Sequence, residues 1–334
     1  MNKKVLIPDR LDTAPDIERD IFGPYVEILT PCVKHSSEIE DTVWSQTDAI
    51  LAWHELKYDE QLIEKLDNCK VIVRVGVGFD NVDLKAAGHK GIYVCNVPDY
   101  GTTDVADHAM ALMLMLSRGV YAFSEQVRIS NDYWEWEAAG TLHRVSGATL
   151  GIIGLGRIGI ATALRAKSFG MNVIYYDPYI PDGRDKALGV TRCDELSDLL
   201  SQSDIVTIHT PLTDETRNMA SFPFFASMKK GALFINVARG PIVNLDALMD
   251  ALKFGALRAV GLDVMPEEPP NPDHPLIRTW RDRENWIANR LVMTPHAAFY
   301  CHEAYQEMRM KAAMEAKRIL NGQPPRNCVN REWL

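Results

Sequence analysis

Residues 149–177 constrain the fold more than any other stretch. They run Thr149-Leu-Gly-Ile-Ile-Gly154-Leu-Gly156-Arg157-Ile158-Gly159 and end in Val173-Ile-Tyr-Tyr-Asp177. Leu150 to Ile153 is a short apolar run that predicts a buried parallel strand. It breaks at three glycines in G-x-G-x-x-G spacing and resumes as an Ala-rich helical stretch that Gly170 stops. Each part suits a bound dinucleotide. Gly154 permits a tight turn, Gly156 lets backbone approach a pyrophosphate, and Gly159 lets helix and strand pack closely. Backbone N–H groups at the helix start, at Arg157 and Ile158, attract phosphate charge. Asp177, 18 residues after Gly159, is placed to accept hydrogen bonds from a ribose diol. The order strand, glycine loop, helix, strand and acid makes a ligand-free glycine turn the weaker reading.

The 334 residues suit two domains rather than one core. A net charge of -9 argues against a nucleic-acid surface, and no apolar run has the length needed to cross a membrane. The N-terminal apolar stretch is too short for a signal peptide. The six cysteines show no C-x-x-C pair and no metal-site spacing, so we expect reduced thiols, no metal and a cytoplasmic protein.

Through residue 100 the chain reads as an α/β series, with strands at Val5–Ile7, Ala49–Ala52, Val71–Val75 and Ile92–Asn96 and a polar, helical stretch after the first. Alternating strands and helices imply a parallel sheet with right-handed crossovers. Val75-Gly76-Val77-Gly78 is a glycine-rich strand end whose N–H groups can hold a carboxylate, or simply a tight turn. Pro98 to Gly101 predicts a hinge, followed by a helix at about 103–120, apolar on most faces, that needs a core or a subunit interface to cover it. Asn131 to Trp136 is predicted as an aromatic-rich surface connection, residues 266–290 as an inserted surface loop with one helical turn, and 302–321 as a helix packing on the first domain.

Strand ends in the second half gather polar residues: Asp177, Thr210 before Pro211, Arg239 after Ala238, Asp263 and His296. In a doubly wound sheet ligands bind beyond the carboxyl ends of the strands, so all five are predicted to face one crevice. His296 is an acid/base candidate because its ordinary pKa lies near neutrality. A carboxylate beside it would orient the ring, and Glu267 and Glu268 are both within reach of that role on spacing alone. Arg239 carries a fork suited to a carboxylate or 2-oxo group. Asp263 can meet the carboxamide side of a nicotinamide or serve as a helix cap.

These stretches together resemble the D-isomer-specific 2-hydroxyacid dehydrogenase family over nearly the whole chain. The matching runs are Arg74 to Asp80, Gly151 to Gly159, Asn236 to Gly240, Gly261 to Pro269 and Thr294 to Ala298. Leu164 to Tyr179 and His296 to Tyr300 are similar to its C-terminal binding protein branch. The resemblance implies two Rossmann-like or flavodoxin-like α/β domains with parallel sheets and a cleft between them. One would comprise 1–101 with 299–334, the other, binding NAD, 102–298. It implies Arg239, Glu268 and His296 as the catalytic trio, with Glu268 preferred over Glu267 because the family's acid falls five residues after the strand-end aspartate. His296 would protonate the 2-oxo oxygen, Glu268 would hold the imidazole and raise its pKa, and Arg239 would bind carboxylate and polarise the carbonyl.

The cofactor set is then Gly154, Gly156, Arg157, Ile158, Gly159, Asp177, Thr210, Pro211, Ala238 and Asp263. Val75, Gly76, Val77, Gly78, Arg239 and Phe299 would take the substrate, with chemistry in a closed cleft, and a homodimer through the 103–120 helix is the family expectation. Phe299 stands where the branch has tryptophan, and the loop after Glu268 is longer than that branch leads one to expect. The substrate is therefore not carried over; Phe299, Trp134, Trp136, Tyr100 and His54 are candidates to line its pocket. The leading expectation is an NAD-dependent reductase of a 2-oxo acid; the alternative is an NAD(H)-sensing protein-binding scaffold with slow turnover.

Overall fold

The computed structural model describes residues 3–11, 13–129 and 134–334. Residues 130–133, in the predicted aromatic connection, lie outside the described residues. The chain divides into two compact units, 1–101 with 300–334, and 102–299. No helix among the described residues is long and apolar enough to cross a membrane.

The first unit is built on five parallel strands, β1 (Lys3–Leu6), β2 (Val26–Leu29), β3 (Ala49–Ala52), β4 (Val71–Arg74) and β5 (Tyr93–Cys95), in the order β2-β1-β3-β4-β5. That is the flavodoxin-like order. β3 and β4 are buried at every position, as helices on both faces of a parallel sheet require. β2 lies in the stretch predicted as helical. It is an edge strand, half-exposed along Val-Glu-Ile-Leu, so it lacks the continuous apolar run that marks the inner strands. The Asp16–Phe22 helix precedes it. The His302–Leu320 helix meets that helix through Arg309, whose Nε and Nη2 reach the two Glu18 oxygens at 2.9 and 2.7 Å. Arg309 and Glu18 are 5% and 2% exposed, so each would be a costly buried charge without the other.

The second unit carries seven parallel strands: β6 (Thr149–Ile153), β7 (Asn172–Tyr176), β8 (Thr191–Arg192), β9 (Ile205–Ile208), β10 (Ala232–Asn236), β11 (Leu257–Leu262) and β12 (Leu291–Met293). Their order is β12-β11-β10-β9-β6-β7-β8. The chain winds outward from β6 in one direction and from β9 in the other, so a crevice opens beyond Ile153 and Ile208, where the order reverses. The helix predicted at about 103–120 is Thr102–Ser117, and a second helix, Val120–Ile129, follows it. The first buries Ala109, Met110, Leu112, Met113 and Leu116 against the sheet core. On the opposite side Phe224, Phe225 and Phe234 pack edge to face at 5.3–5.9 Å. Phe234→Ala would cost about 3–5 kcal/mol in such a site.

The 266–290 stretch is not the surface insertion that its charges and prolines suggest. Pro275–Arg281 is helical, Leu276, Ile277 and Ile287 are fully buried, and Trp280 Nε1 donates to the Leu291 carbonyl at 3.0 Å. Leu276, Ile277 and Ile287, with Trp280 and Trp286 packed beside them, dock this polar segment onto a core edge.

Candidate active site

The glycine loop joins β6 to the Arg157–Ser168 helix. Gly154 has φ +90°, a left-handed value that a side chain would resist. A Cβ on Gly159 would stand 2.1 Å from the Gly154 carbonyl, which measures how closely helix and strand end approach. A Cβ on Gly156 would meet nothing within 4 Å, so the space ahead of the helix N-terminus is open to a phosphate. Asp177 closes the loop from β7. Its Oδ2 accepts from the Leu155 N–H at 2.9 Å and its Oδ1 from the Tyr179 N–H at 3.0 Å.

Beyond β9, His209 Nδ1 and Thr210 Oγ1 are buried polar atoms without a hydrogen-bond partner among the described residues. His209 Nε2 pairs with Thr207 Oγ1 at 3.1 Å, and burial pushes its pKa down to about 3, so the ring is neutral. Thr210 Cγ2 lies 2.8 Å from where a Gly154 Cβ would be. Orphaned polar atoms facing an open glycine loop fit a polar cofactor, because a buried donor or acceptor left unmade costs about 1–3 kcal/mol. Pro211 follows, its carbonyl accepting from Thr216 Oγ1 at 2.8 Å.

Arg239 follows β10 on a loop shaped by Asn236. Asn236 is fully buried; its Nδ2 donates to the Arg239 carbonyl and its Oδ1 accepts from the Ala238 N–H, each at 3.0 Å. Arg239 Nη1 donates to the Ala238 carbonyl at 2.8 Å. A Cβ on Gly240 would sit 1.9 Å from the Met265 carbonyl carbon. That close approach brings the arginine loop against the turn carrying Glu268.

His296 Nδ1 and Glu268 Oε2 are 2.7 Å apart, with side chains 30% and 32% exposed. The second carboxylate oxygen, Oε1, accepts from the Met265 N–H at 2.9 Å, which fixes its rotamer. Glu267 is exposed. His296 is left-handed at φ +53°, a conformation costing a non-glycine residue about 1–2 kcal/mol. Asp263 holds it there. The Asp263 carbonyl accepts from the His296 N–H at 2.7 Å. Its carboxylate, 1% exposed, accepts from the N–H groups of Ala297 and Ala298, both at 2.9 Å, and from Thr294 Oγ1 at 2.6 Å. His108 Nε2 meets Thr294 Oγ1 at 3.0 Å. Phe299, half-buried, ends this turn.

The Val75–Gly78 loop belongs to the first unit. Val75 N–H donates to Ala52 and Gly76 N–H to the Arg74 carbonyl, at 2.7 and 2.9 Å. The N–H groups of Val77 and Gly78 have no acceptor among the described residues, and Asn96 Nδ2 holds the Val77 carbonyl at 2.7 Å. Arg74, 8% exposed, folds back so that its Nη1 meets the Val75 carbonyl at 2.5 Å. A cation thus adjoins two bare amide donors, a setting for an anion. Tyr100 of this unit is buried and His54 half-buried, whereas Trp134 and Trp136 of the second are 75% and 74% exposed.

Three polar residues near these loops lie outside the predicted site set. Asn236, Arg74 and His209 show no periodicity that distinguishes them from ordinary strand-end residues. Only the polar character of Asn236 within an apolar run gave a usable signal.

Residues 110–298 match the model of the D-isomer specific 2-hydroxyacid dehydrogenase NAD binding domain. The chain is 38% identical over 331 residues to a D-3-phosphoglycerate dehydrogenase of Methanocaldococcus jannaschii, covering 98% of this chain and 59% of the relative. It is 34% identical over 326 residues to C-terminal-binding protein 1 of Caenorhabditis elegans, covering 95% of this chain and 44% of that protein. The chain thus spans roughly half the length of these curated relatives. The crystal structure of a glyoxylate reductase from Paecilomyes thermophila superposes with a TM-score of 0.86 at 26% identity, covering 99% of this chain and 100% of that one.

Proposed function

This chain belongs to the D-isomer specific 2-hydroxyacid dehydrogenase family, and on that premise we propose that it reduces a 2-oxo acid to the D-2-hydroxy acid with NADH. The observation that carries the proposal is the 2.7 Å pair of His296 and Glu268, set beside the Arg239 loop by the Gly240–Met265 contact. A nicotinamide cofactor supplies the hydride when bound. His296 gives a proton from Nε2 to the 2-oxo oxygen and recovers it in the reverse direction. Glu268 orients the ring through Nδ1. Arg239 binds the carboxylate and polarises the carbonyl. The bare amides of Val77 and Gly78 hold a carboxylate. Asp177 accepts from the ribose diol and repels a 2′-phosphate, so NAD(H) is preferred over NADP(H). The Gly154–Gly159 loop, Thr210, Pro211 and Ala238 line the rest of the cofactor site.

The decisive experiment follows NADH oxidation across a panel of 2-oxo acids. Turnover with at least one, giving the D product, supports the proposal; none across the panel refutes it. The likeness to C-terminal-binding protein 1 favours a second reading, an NAD(H)-sensing scaffold with slow turnover. NADH-dependent partner capture with an inactive panel would establish that reading instead. We also propose a cytoplasmic homodimer. Val120, Val127, Ile129, Trp134 and Trp136 are large apolar side chains exposed to solvent, the kind of surface a subunit interface covers. Sedimentation as a monomer would refute the dimer.

A further inference from the structure

Cys95 and Cys328 stand directly opposite each other in an antiparallel bridge. The flanking hydrogen bonds identify the kind of pair. Asn96 N–H donates to the Asn327 carbonyl at 3.3 Å, and Val329 N–H donates to the Val94 carbonyl at 2.8 Å. The two cysteines exchange no bond with each other, so they form the non-hydrogen-bonded pair. This is the closer of the two antiparallel arrangements, with Cα atoms about 4.5 Å apart and both side chains on one face. A disulfide spans Cα separations of roughly 4.4–6.8 Å. Both thiols are free.

The ladder is held firmly enough that little backbone movement is needed. Asn330 Oδ1 accepts from the Val94 N–H and Asn330 Nδ2 donates to the Ile92 carbonyl, both at 2.9 Å. Glu315 Oε1 accepts from the Arg326 N–H at 2.6 Å. We propose that Cys95 and Cys328 form an oxidation site at which a peroxide closes a cross-strand disulfide between β5 and the 327–329 segment.

The two sulfurs have unequal access. Cys328 is half-buried and contacts Asn330 Oδ1 at 3.3 Å, whereas Cys95 is fully buried. Peroxide therefore meets Cys328 first. Its sulfur attacks one peroxide oxygen, the O–O bond breaks, the thiol proton passes to the departing oxygen, and a sulfenic acid and one water result. The Cys95 sulfur then attacks the Cys328 sulfur and the hydroxyl leaves as a second water. Burial, and the Glu315 carboxylate beside it, push the Cys95 thiol up. Glu315, 6% exposed, takes the proton that Cys95 sheds as the S–S bond forms and passes it to the departing hydroxyl, which leaves as that water. Two thiols lose two electrons and two protons, and one peroxide becomes two waters.

The test treats the 334-residue chain with hydrogen peroxide, blocks remaining thiols with N-ethylmaleimide after unfolding, and maps the peptides by mass spectrometry. The expected result is a Cys95–Cys328 crosslinked peptide, with Cys69 and Cys193 recovered alkylated. The melting temperature should rise on oxidation, fall back with dithiothreitol, and stay unchanged by peroxide in Cys328→Ser. Recovery of Cys95 as a free thiol beside an over-oxidised Cys328 overturns the proposal, as does a melting-temperature rise that persists in Cys328→Ser. Should that variant fail to fold, Cys95→Ala serves. It should accumulate Cys328 sulfenic or sulfinic acid with no intrachain crosslink, and a crosslink of Cys328 to another cysteine in it would count against the pair.

Discussion

The Asp263 carbonyl accepts from the His296 N–H at 2.7 Å while its carboxylate accepts from the two residues that follow His296. A single buried aspartate therefore imposes the left-handed backbone that aims the imidazole at Glu268. Asp263→Asn keeps the shape but replaces one acceptor with a donor facing an N–H group. We expect a loss of about 1–3 kcal/mol in urea unfolding, with kcat lowered through misplacement of His296. Unchanged stability and unchanged kcat would show that the turn holds itself.

If His296 transfers the proton, His296→Gln removes it and kcat should fall about 10²–10⁴-fold. Glu268→Gln should fall less, because the ring remains and only its orientation weakens. Steady-state kinetics on the substrate found in the panel measures both. Wild-type turnover in His296→Gln would end the acid/base assignment.

Coenzyme choice is placed on Asp177. Asp177→Ser removes the charge that opposes a 2′-phosphate, so the kcat/KM ratio for NADH over NADPH should drop about tenfold or more. The same substitution also removes an acceptor from the Leu155 N–H. Some loss with NADH is expected, and the ratio is the quantity that decides.

Acid stability should depend on His209. Burial holds its folded pKa at about 3 against an ordinary 6.5, so the unfolded chain binds the proton more readily across that interval. Stability is then fully present above pH ~6.5 and is lost as pH falls toward 3, by an amount on the order of a few kcal/mol. His209→Asn should flatten the pH dependence of the unfolding midpoint between those limits. An unchanged slope would place the acid sensitivity elsewhere.

Much of this was legible in residue order. The Gly154–Gly159 loop, the Asp177 strand end and the polar residues after β9, β10, β11 and β12 stand out because glycine conformation and strand termination are local properties. In residue order the preference for Glu268 over Glu267 rests on family resemblance alone; the structure adds that Glu268 Oε2 lies 2.7 Å from His296 Nδ1. β2 escaped notice because an edge strand with one wet face carries little periodic signal. The 266–290 stretch misled because its charges outnumber the apolar residues that dock it.

Residue order alone settles the α/β class and the glycine loop and marks the strand ends proposed to bear chemistry, since each depends on backbone preferences within a few neighbouring residues. Only the tertiary structure decides that Asp263 is consumed in shaping the His296 turn, that Asn236 shapes the Arg239 loop, and that Cys95 faces Cys328. Those relations join residues distant in the chain or hang on the direction of a single hydrogen bond, and neither is written in composition or spacing.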